Sequence, residues 1–532
     1  MPTNLKRIAL AFWLAFIAAF ALLHAWHLRA DFPNHSPWYM DWAKYTDEGW
    51  YANAAVRSHL FGNWYLKHDF NPAPAVPVWP FLEWLLFFFT GVSVAAARGL
   101  AVGFFFVNLI LSYTLLRIRA ARWTALLALT LIVTSPFLYA FSRLAILEPM
   151  LTAFFLAALN LAVRLPRYRR PIAVSLVIGL LFTLMLLTKT SAAFLLPALG
   201  WAIYASLAGE KLSIRPNPAQ IRCSLAAAFA AAASFALWMA IVIARGLLVD
   251  YRYLFFINKY IKPKEFYWPL VSFWWCFHGG LWVDKVLIPL AGIVFLVILA
   301  AFRTQWSKTL LRNPVFGASL LSAAGYILFM TYQNHPQPRY YTVVGLFSIF
   351  VLVLGAEALA ANGKFRRAAA AAIAVSALWA GRNAATTLTW ATHPEYTWVT
   401  AAGNLTRYID THPNGKRLLL SISGDEITLM THLPTICDDF GTIDLPSRLG
   451  EFQPGWWATW NDIDAGTLED LHTHFSLEQV AGFPAFDDPD RNVLVLFKLH
   501  PLPNGQVRDP GVQNLQVKLP GDKFDLDINY EP

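Results

Sequence analysis

The sequence predicts a polytopic α-helical membrane protein of about 11 spans that ends in a small extracytoplasmic α/β domain, residues 391–532. Three observations predict it. Only 14% of the 532 residues are charged and 57% are hydrophobic, with mean hydropathy +0.44, whereas soluble domains carry about 25% charged residues. Apolar runs long enough to span recur from residue 8 to residue 388. Beyond Thr392 they stop, and Pro, Gly and Asp become frequent.

A span needs about 20 mostly apolar residues. Candidate stretches are 8–28, 97–117, 123–141, 149–164, 172–188, 191–207, 223–245, 284–302, 315–332, 342–361 and 367–388. Basic clusters fix their direction: Arg117 to Arg122, Arg164 to Arg170, Lys211 to Arg222, Arg303 to Arg312, and Lys364 to Arg367 fall on alternate connections. The positive-inside rule makes that side the cytoplasm of a cell inner (plasma) membrane. The N-terminus is then inside and residues 391–532 are outside. Lys6-Arg7 and the apolar run to Trp26 lack a convincing small-residue cleavage site, so they read as an uncleaved first span. Val76 to Val94 is the exception. Counting it as a span would put Arg117, Arg119 and Arg122 outside, and it carries Pro77, Pro80 and Glu83. It reads as a helix lying in the outer interface.

The formal charge of +9 sits in these topology-setting clusters, which argues against nucleic-acid binding. Cys223, Cys276 and Cys437 form no metal, redox or disulfide pattern. In the C-terminal stretch, Trp398 to Ile409 and Thr467 to Phe475 look helical, and Arg417 to Ile422 and Asn492 to Leu499 look like strands.

With this topology the unusual polar residues converge on the outer face. The first outer loop, residues 29–96, carries Asp47-Glu48 in Tyr45-Thr46-Asp47-Glu48-Gly49-Trp50-Tyr51. Ionised groups beside a bilayer are costly to desolvate and commonly functional. A carboxylate such as Asp47 suits general-base work, with Glu48 orienting it or turned elsewhere. The plainer reading is that Thr46 or Asp47 caps a helix. Glu148, before Pro149, is a second acid; otherwise it favours a helix dipole with Arg143 as its ion-pair partner. Lys189, Arg98 and Arg339-Tyr340 offer donors for a phosphate, or else they are interfacial anchors. His59 and His68-Asp69 match no metal-ligand spacing. Paired acids suit a divalent metal ion as cofactor, yet no full ligand set can be named.

These motifs resemble the membrane-embedded glycosyltransferases of the GT-C fold. The similarity is greatest to the family 39 group of protein O-mannosyltransferases and aminoarabinose lipid A transferases. It rests on Tyr45 to Ala52 after the first span, Ala95-Ala96-Ala97-Arg98, and Ser142 to Glu148 at the second outer loop. The resemblance implies Asp47 as the essential acid and Glu148 as the second. It makes Lys189, Arg339 and Tyr340 a clamp for lipid phosphate, with Arg98 and Arg143 as further substrate contacts. It also implies an inverting transfer from a polyprenyl-phosphate-linked sugar to a glycan, lipid or protein acceptor. This chain departs from the family where Glu148 replaces a frequent Asp. Asp69 to Pro74 also lacks the usual charged residue before a Pro-Pro pair. A transporter or flippase of lipid-linked sugars would place polar groups near the midplane and favour internal repeats, neither of which is evident. A non-catalytic scaffold would leave the acidic pair without purpose.

Overall fold

The computed structural model describes residues 3–33, 41–208, 215–257, 285–330, 337–486 and 491–503, a few positions from 267 to 274, and short strands between 516 and 529. Cys276, residues 275–283 of an outer loop, and Asn334-His335-Pro336 lie outside the described residues.

The first half comprises α1 (Thr3–Leu23), α2 (Asp47–Phe61), α3 (Val78–Thr90), α4 (Val94–Leu116), α5 (Arg122–Val133), α6 (Pro136–Ser142) and α7 (Glu148–Val163). Helices Pro171–Thr188, Leu196–Leu207, Pro218–Ala244, Leu287–Ala300, Pro314–Met330, Tyr341–Ala361 and Arg366–Thr392 follow. Among the described residues each predicted span falls largely on helical backbone, but the expected eleven are not all alike. Among the described residues six helices are long and apolar enough to cross a membrane, or up to eight if each bent pair is one span. The bends have local causes. α5 and α6 meet at 67°, where Ser135 accepts from the Leu138 amide at 3.2 Å and Pro136 starts a new helix. The Gln305–Leu311 and Pro314–Met330 helices meet at 64° at another proline. α7 and Leu287–Ala300 are apolar but shorter. α3, with 13 residues, extends only about 20 Å, less than a hydrocarbon core of about 30 Å. Tyr341–Ala361 lies at the centre of the bundle, nearly all of its side chains buried.

The C-terminal domain is a mixed five-stranded sheet ordered β2-β1-β3-β6-β5. Its strands are β1 (Leu419–Leu420), β2 (Thr435–Ile436), β3 (Trp456–Trp460), β5 (Phe475–Pro484) and β6 (Val493–Pro501), while β4 (Asp462–Asp464) pairs separately with Asp527–Asn529. β1 runs parallel to β2 and β3, and β6 is antiparallel to β3 and β5. Side chains alternate across such a sheet. Trp456, Ala458 and Trp460 therefore join Leu494 and Leu496 in one apolar layer, and Trp457 joins Val495 and Phe497 in the other. The expected helices appear as Thr397–Thr411 and Ala465–His472; β3 and the helix Gly424–Thr431 were not anticipated.

This domain is not set apart from the first outer loop. Tyr45 packs within its core, 4.7 Å from Trp460 and 4.9 Å from Phe486 between ring centroids. Asp31 accepts from Thr397 Oγ1 at 2.7 Å and from the Trp398 amide, holding the start of the Thr397–Thr411 helix. α2 crosses Gly424–Thr431 at Gly49, where a Cβ would lie 2.1 Å from the Glu426 nitrogen and 2.2 Å from the Asp425 carbonyl carbon. Only glycine permits that approach. Further along, Arg57 bonds Asp69 at 2.9 Å and the Thr435 carbonyl at 2.8 Å. The boundary at residue 391 thus divides the chain but not the packing.

Gly49→Ala is expected to lower stability by about 1–3 kcal/mol through overpacking against rigid backbone, read by thermal unfolding of the purified protein. A second expectation concerns Asp438, buried with Trp457 Nε1 at 3.0 Å. Burial pushes its acid up to about 7. The folded state then holds a proton that the unfolded state releases, so stability falls as pH rises from the ordinary carboxylate range to about 7. Asp438→Asn should flatten that part of the stability–pH curve.

Candidate active site

Asp47 and Glu48 open α2, yet Thr46 makes no side-chain cap, so the capping reading fails. Successive helical residues point about 100° apart, and the two acids diverge accordingly. Asp47 faces the bundle, with Oδ2 2.9 Å from Arg339 Nη2. Burial raises its proton affinity and Arg339 opposes that rise, while Asp41 and Glu148 add to it.

Glu48 turns elsewhere, into a closed core. Its two oxygens take a forked bond from Arg98, 2.7 Å from Nε and 2.6 Å from Nη2, and Oε1 also accepts from the Ala145 amide at 2.7 Å. Arg98 Nη1 donates to the carbonyls of Leu28 and Ala30. Both residues are thus fully engaged with protein. Arg143 does not pair with Glu148. It bonds Tyr139 and donates to the Trp26 and His27 carbonyls at 2.7 and 2.6 Å, which fastens the turn before α7 to the end of α1.

Glu148 instead pairs with Lys189, both buried. Lys189 interrupts its helix after Thr188 in extended conformation, φ −160°, which swings its side chain into the bundle. Arg339 rides on a single turn, Pro338–Tyr340, that begins the central helix. The Tyr340 ring joins the two pairs: Lys189 Nζ lies 4.4 Å and the Arg339 guanidinium carbon 5.0 Å from its centroid, within cation–π range. Asp47, Glu148, Lys189, Arg339 and Tyr340 therefore form one cluster, whereas Glu48, Arg98 and Arg143 lie around it as bracing.

Three residues of this cluster were missed in the sequence. Asp41 accepts from Arg339 Nη1 at 2.5 Å and from its amide at 2.8 Å, and also caps the short turn Trp42–Lys44. Its position six residues before Asp47 carries no periodic signal. Tyr51 lies one helical turn after Asp47 and feels Asp47, Arg339 and Glu148 electrostatically. Helical spacing from Asp47 could have found it. Tyr326 bonds Ser191 at 2.9 Å, and a tyrosine inside an apolar run gives no such clue.

Beside Glu148 lies a cavity lined by Asn108, Ser112, Thr152 and Thr342 among apolar side chains such as Phe105 and Phe141. Glu148 Oε2, Asn108 Oδ1 and Ser112 Oγ are buried there without hydrogen-bond partners. No group of three His, Cys, Asp or Glu among the described residues could hold a metal ion. The site acids face Arg339 and Lys189 rather than one another, and His59 and His68 bond Trp84 and Glu451 instead. Among the described residues the site acids are thus engaged by cations and form no metal-ligand group.

The helical bundle with its small C-terminal sheet region has the GT-C fold, as its likeness to solved structures shows. Its structure is similar to that of ArnT from Cupriavidus metallidurans in the apo state, with TM-score 0.57 and 14% identity over 92% of this chain and 98% of that one. The same protein bound to undecaprenyl phosphate gives 0.55 and 14% over 91% and 98%. The archaeal oligosaccharyltransferase AglB from Archaeoglobus fulgidus, in complex with an inhibitory peptide and a dolichol-phosphate, gives 0.50 and 12% over 91% and 74%. No protein-family model and no curated protein matches the chain.

Removing one member of a buried ion pair strands the other, at a cost of about 3–5 kcal/mol. Arg98→Ala and Glu48→Ala are each expected to show that loss as reduced folded yield and a lower melting temperature. Arg98→Lys should recover only part of it, because an ammonium cannot reproduce the fork.

Proposed function

We propose that the protein is an inverting glycosyltransferase that moves a sugar from a polyprenyl-phosphate carrier to an acceptor on the extracytoplasmic side. The acceptor is a glycan, a lipid or a protein. The protein would sit as a multi-pass enzyme of the plasma (inner) membrane, with its N-terminus cytoplasmic and its C-terminal domain outside. One observation carries the reading: two buried acid–base pairs, Asp47–Arg339 and Glu148–Lys189, meet at the Tyr340 ring. The undecaprenyl phosphate and dolichol-phosphate held by the proteins of similar fold support a lipid phosphate as the ligand.

In this reading the donor phosphate competes with the carboxylates for Arg339 and Lys189. Arg339 gives it a fork of donors and Lys189 a point charge. Asp47, relieved of its partner, takes the proton of the acceptor hydroxyl as that oxygen attacks the anomeric carbon. The carbon–oxygen bond to phosphate breaks on the opposite face, which inverts the centre. Polyprenyl phosphate departs with its new negative charge held by Arg339 and Lys189. Glu148 holds Lys189 in place and contacts the acceptor or sugar from the cavity side. Asp41 aims Arg339, while Glu48, Arg98 and Arg143 position the loops that carry the site.

The test begins with mass spectrometry of the lipids that accumulate when the gene is deleted, which identifies the donor. With that donor, Asp47→Asn should slow transfer by about 10²–10⁴-fold while undecaprenyl phosphate still binds, and Lys189→Ala should weaken that binding. A base must be deprotonated, so wild-type activity should fall as pH drops through the raised pKa of Asp47. Full transfer by folded Asp47→Asn would falsify the assignment.

A further inference from the structure

We propose that Glu426, carried by the C-terminal domain, is a positioning residue for Asp47 and Glu48 and works as an uncharged carboxylic acid. The inference rests on the transferase reading above. It begins from the contact at Gly49, which brings the backbone of Asp425 and Glu426 against the first turn of α2. No residue of the membrane helices is needed to make this contact; the outer domain itself reaches the acidic pair.

Glu426 is fully buried. Its Oε1 accepts from Trp398 Nε1 at 2.9 Å, and its Oε2 is buried without a hydrogen-bond partner. The charged groups that face it are Glu48 and Asp47 from α2 and Arg98 from α4. Asp31, which holds the start of the helix bearing Trp398, also acts on Arg98. Arg98 cannot serve as its partner, because its nitrogens already donate to Glu48, Leu28 and Ala30. A charged Glu426 would therefore add an anion beside two others, and Arg98, the cation that acts on it, is already committed to Glu48. In a water-poor site that arrangement is strongly unfavourable. A neutral acid keeps an acceptor for Trp398 and adds no charge. Burial first, then the charge of Glu48, accordingly drives its proton affinity well above the ordinary carboxylate range.

The neutral state has a consequence for the site. With Glu426 protonated, the C-terminal domain seats on α2 without raising the proton affinity of Asp47. When alkaline pH removes that proton, a new anion appears behind Asp47 and Glu48. The docking of the domain then weakens and the proposed base is mis-set. Transfer should therefore have an alkaline limit that belongs to Glu426, separate from the acid limit that belongs to Asp47.

The experiment uses the full chain in lipid nanodiscs. Infrared spectra of wild type minus Glu426→Gln at neutral pH should contain a carboxylic-acid carbonyl band that shifts in D₂O. If wild type shows only carboxylate at this position, the proposal is overturned whether or not any transfer has been measured. The second readout is the pH–rate profile with the donor identified above. Glu426→Gln should remove the alkaline fall and leave the acid limb in place. Glu426→Ala should transfer about tenfold to a hundredfold more slowly through misplacement of the loop, with Glu426→Gln rescuing that loss. A glutamine variant as slow as the alanine variant, or one that keeps the alkaline fall, also overturns the proposal. An acid band in a protein that transfers nothing counts against the transferase reading and not against the protonated state. Should Glu426→Ala fail to fold, the spectra and the glutamine profile still decide the matter.

Discussion

The fork between Arg98 and Glu48 gathers the outer face into one piece. Arg98 stands near the outer end of α4, and Glu48 in the first turn of α2. Around this pair lie the carbonyls of Leu28 and Ala30 beyond α1, and the Ala145 amide that precedes Glu148. Four segments remote in sequence thus meet at one guanidinium and one carboxylate. Buried charges are tolerated only where hydrogen bonds satisfy them, and here nearly every donor and acceptor is used. This closure fixes the direction of α2, and with it the face on which Asp47 emerges.

Once Asp47 is fixed, the electrostatics of the cluster follow. Asp41 and Asp47 pair with Arg339 and Glu148 with Lys189, and the two cations share the Tyr340 ring. The resting site therefore holds its cations between acids inside a buried environment. In the proposed reaction an entering phosphate displaces a carboxylate from a cation. In doing so it frees the very group that the proposed reaction needs as a base. Binding and activation are then two aspects of one exchange of partners.

The C-terminal domain takes part in this arrangement. Tyr45 and Trp42 of the first loop pack with its tryptophans, Asp31 holds its first helix, and Gly49 admits its backbone to contact. Arg57 reaches Asp69 and the carbonyl of Thr435 from the same α2. α2 is thus tied to α4 through Glu48 and to the C-terminal domain through Gly49 and Arg57. That double contact explains why a helix of low hydrophobicity, rich in polar residues, is nonetheless largely buried.

Hydropathy made the bundle legible, because a bilayer demands long apolar runs and the basic clusters mark their ends. The acids, Lys189, Arg339 and Tyr340 were visible for the same reason: charge beside lipid stands out. Local pattern could not say which of them meet. Glu48 and Asp47 are adjacent in sequence, and only the turn of α2 sends one to Arg98 and the other to Arg339. Arg143 looked like a partner for Glu148, but the path of the chain takes it to the end of α1. Asp41, Tyr326 and Glu426 gave no signal, since their roles come from side chains brought close by long-range packing. The sequence by itself determined a membrane bundle with acids near the ends of its apolar runs. Tertiary structure alone decided which acid is bracing, which faces the cluster, and that the outer domain closes on both, because partners tens or hundreds of residues apart meet only when the helices pack.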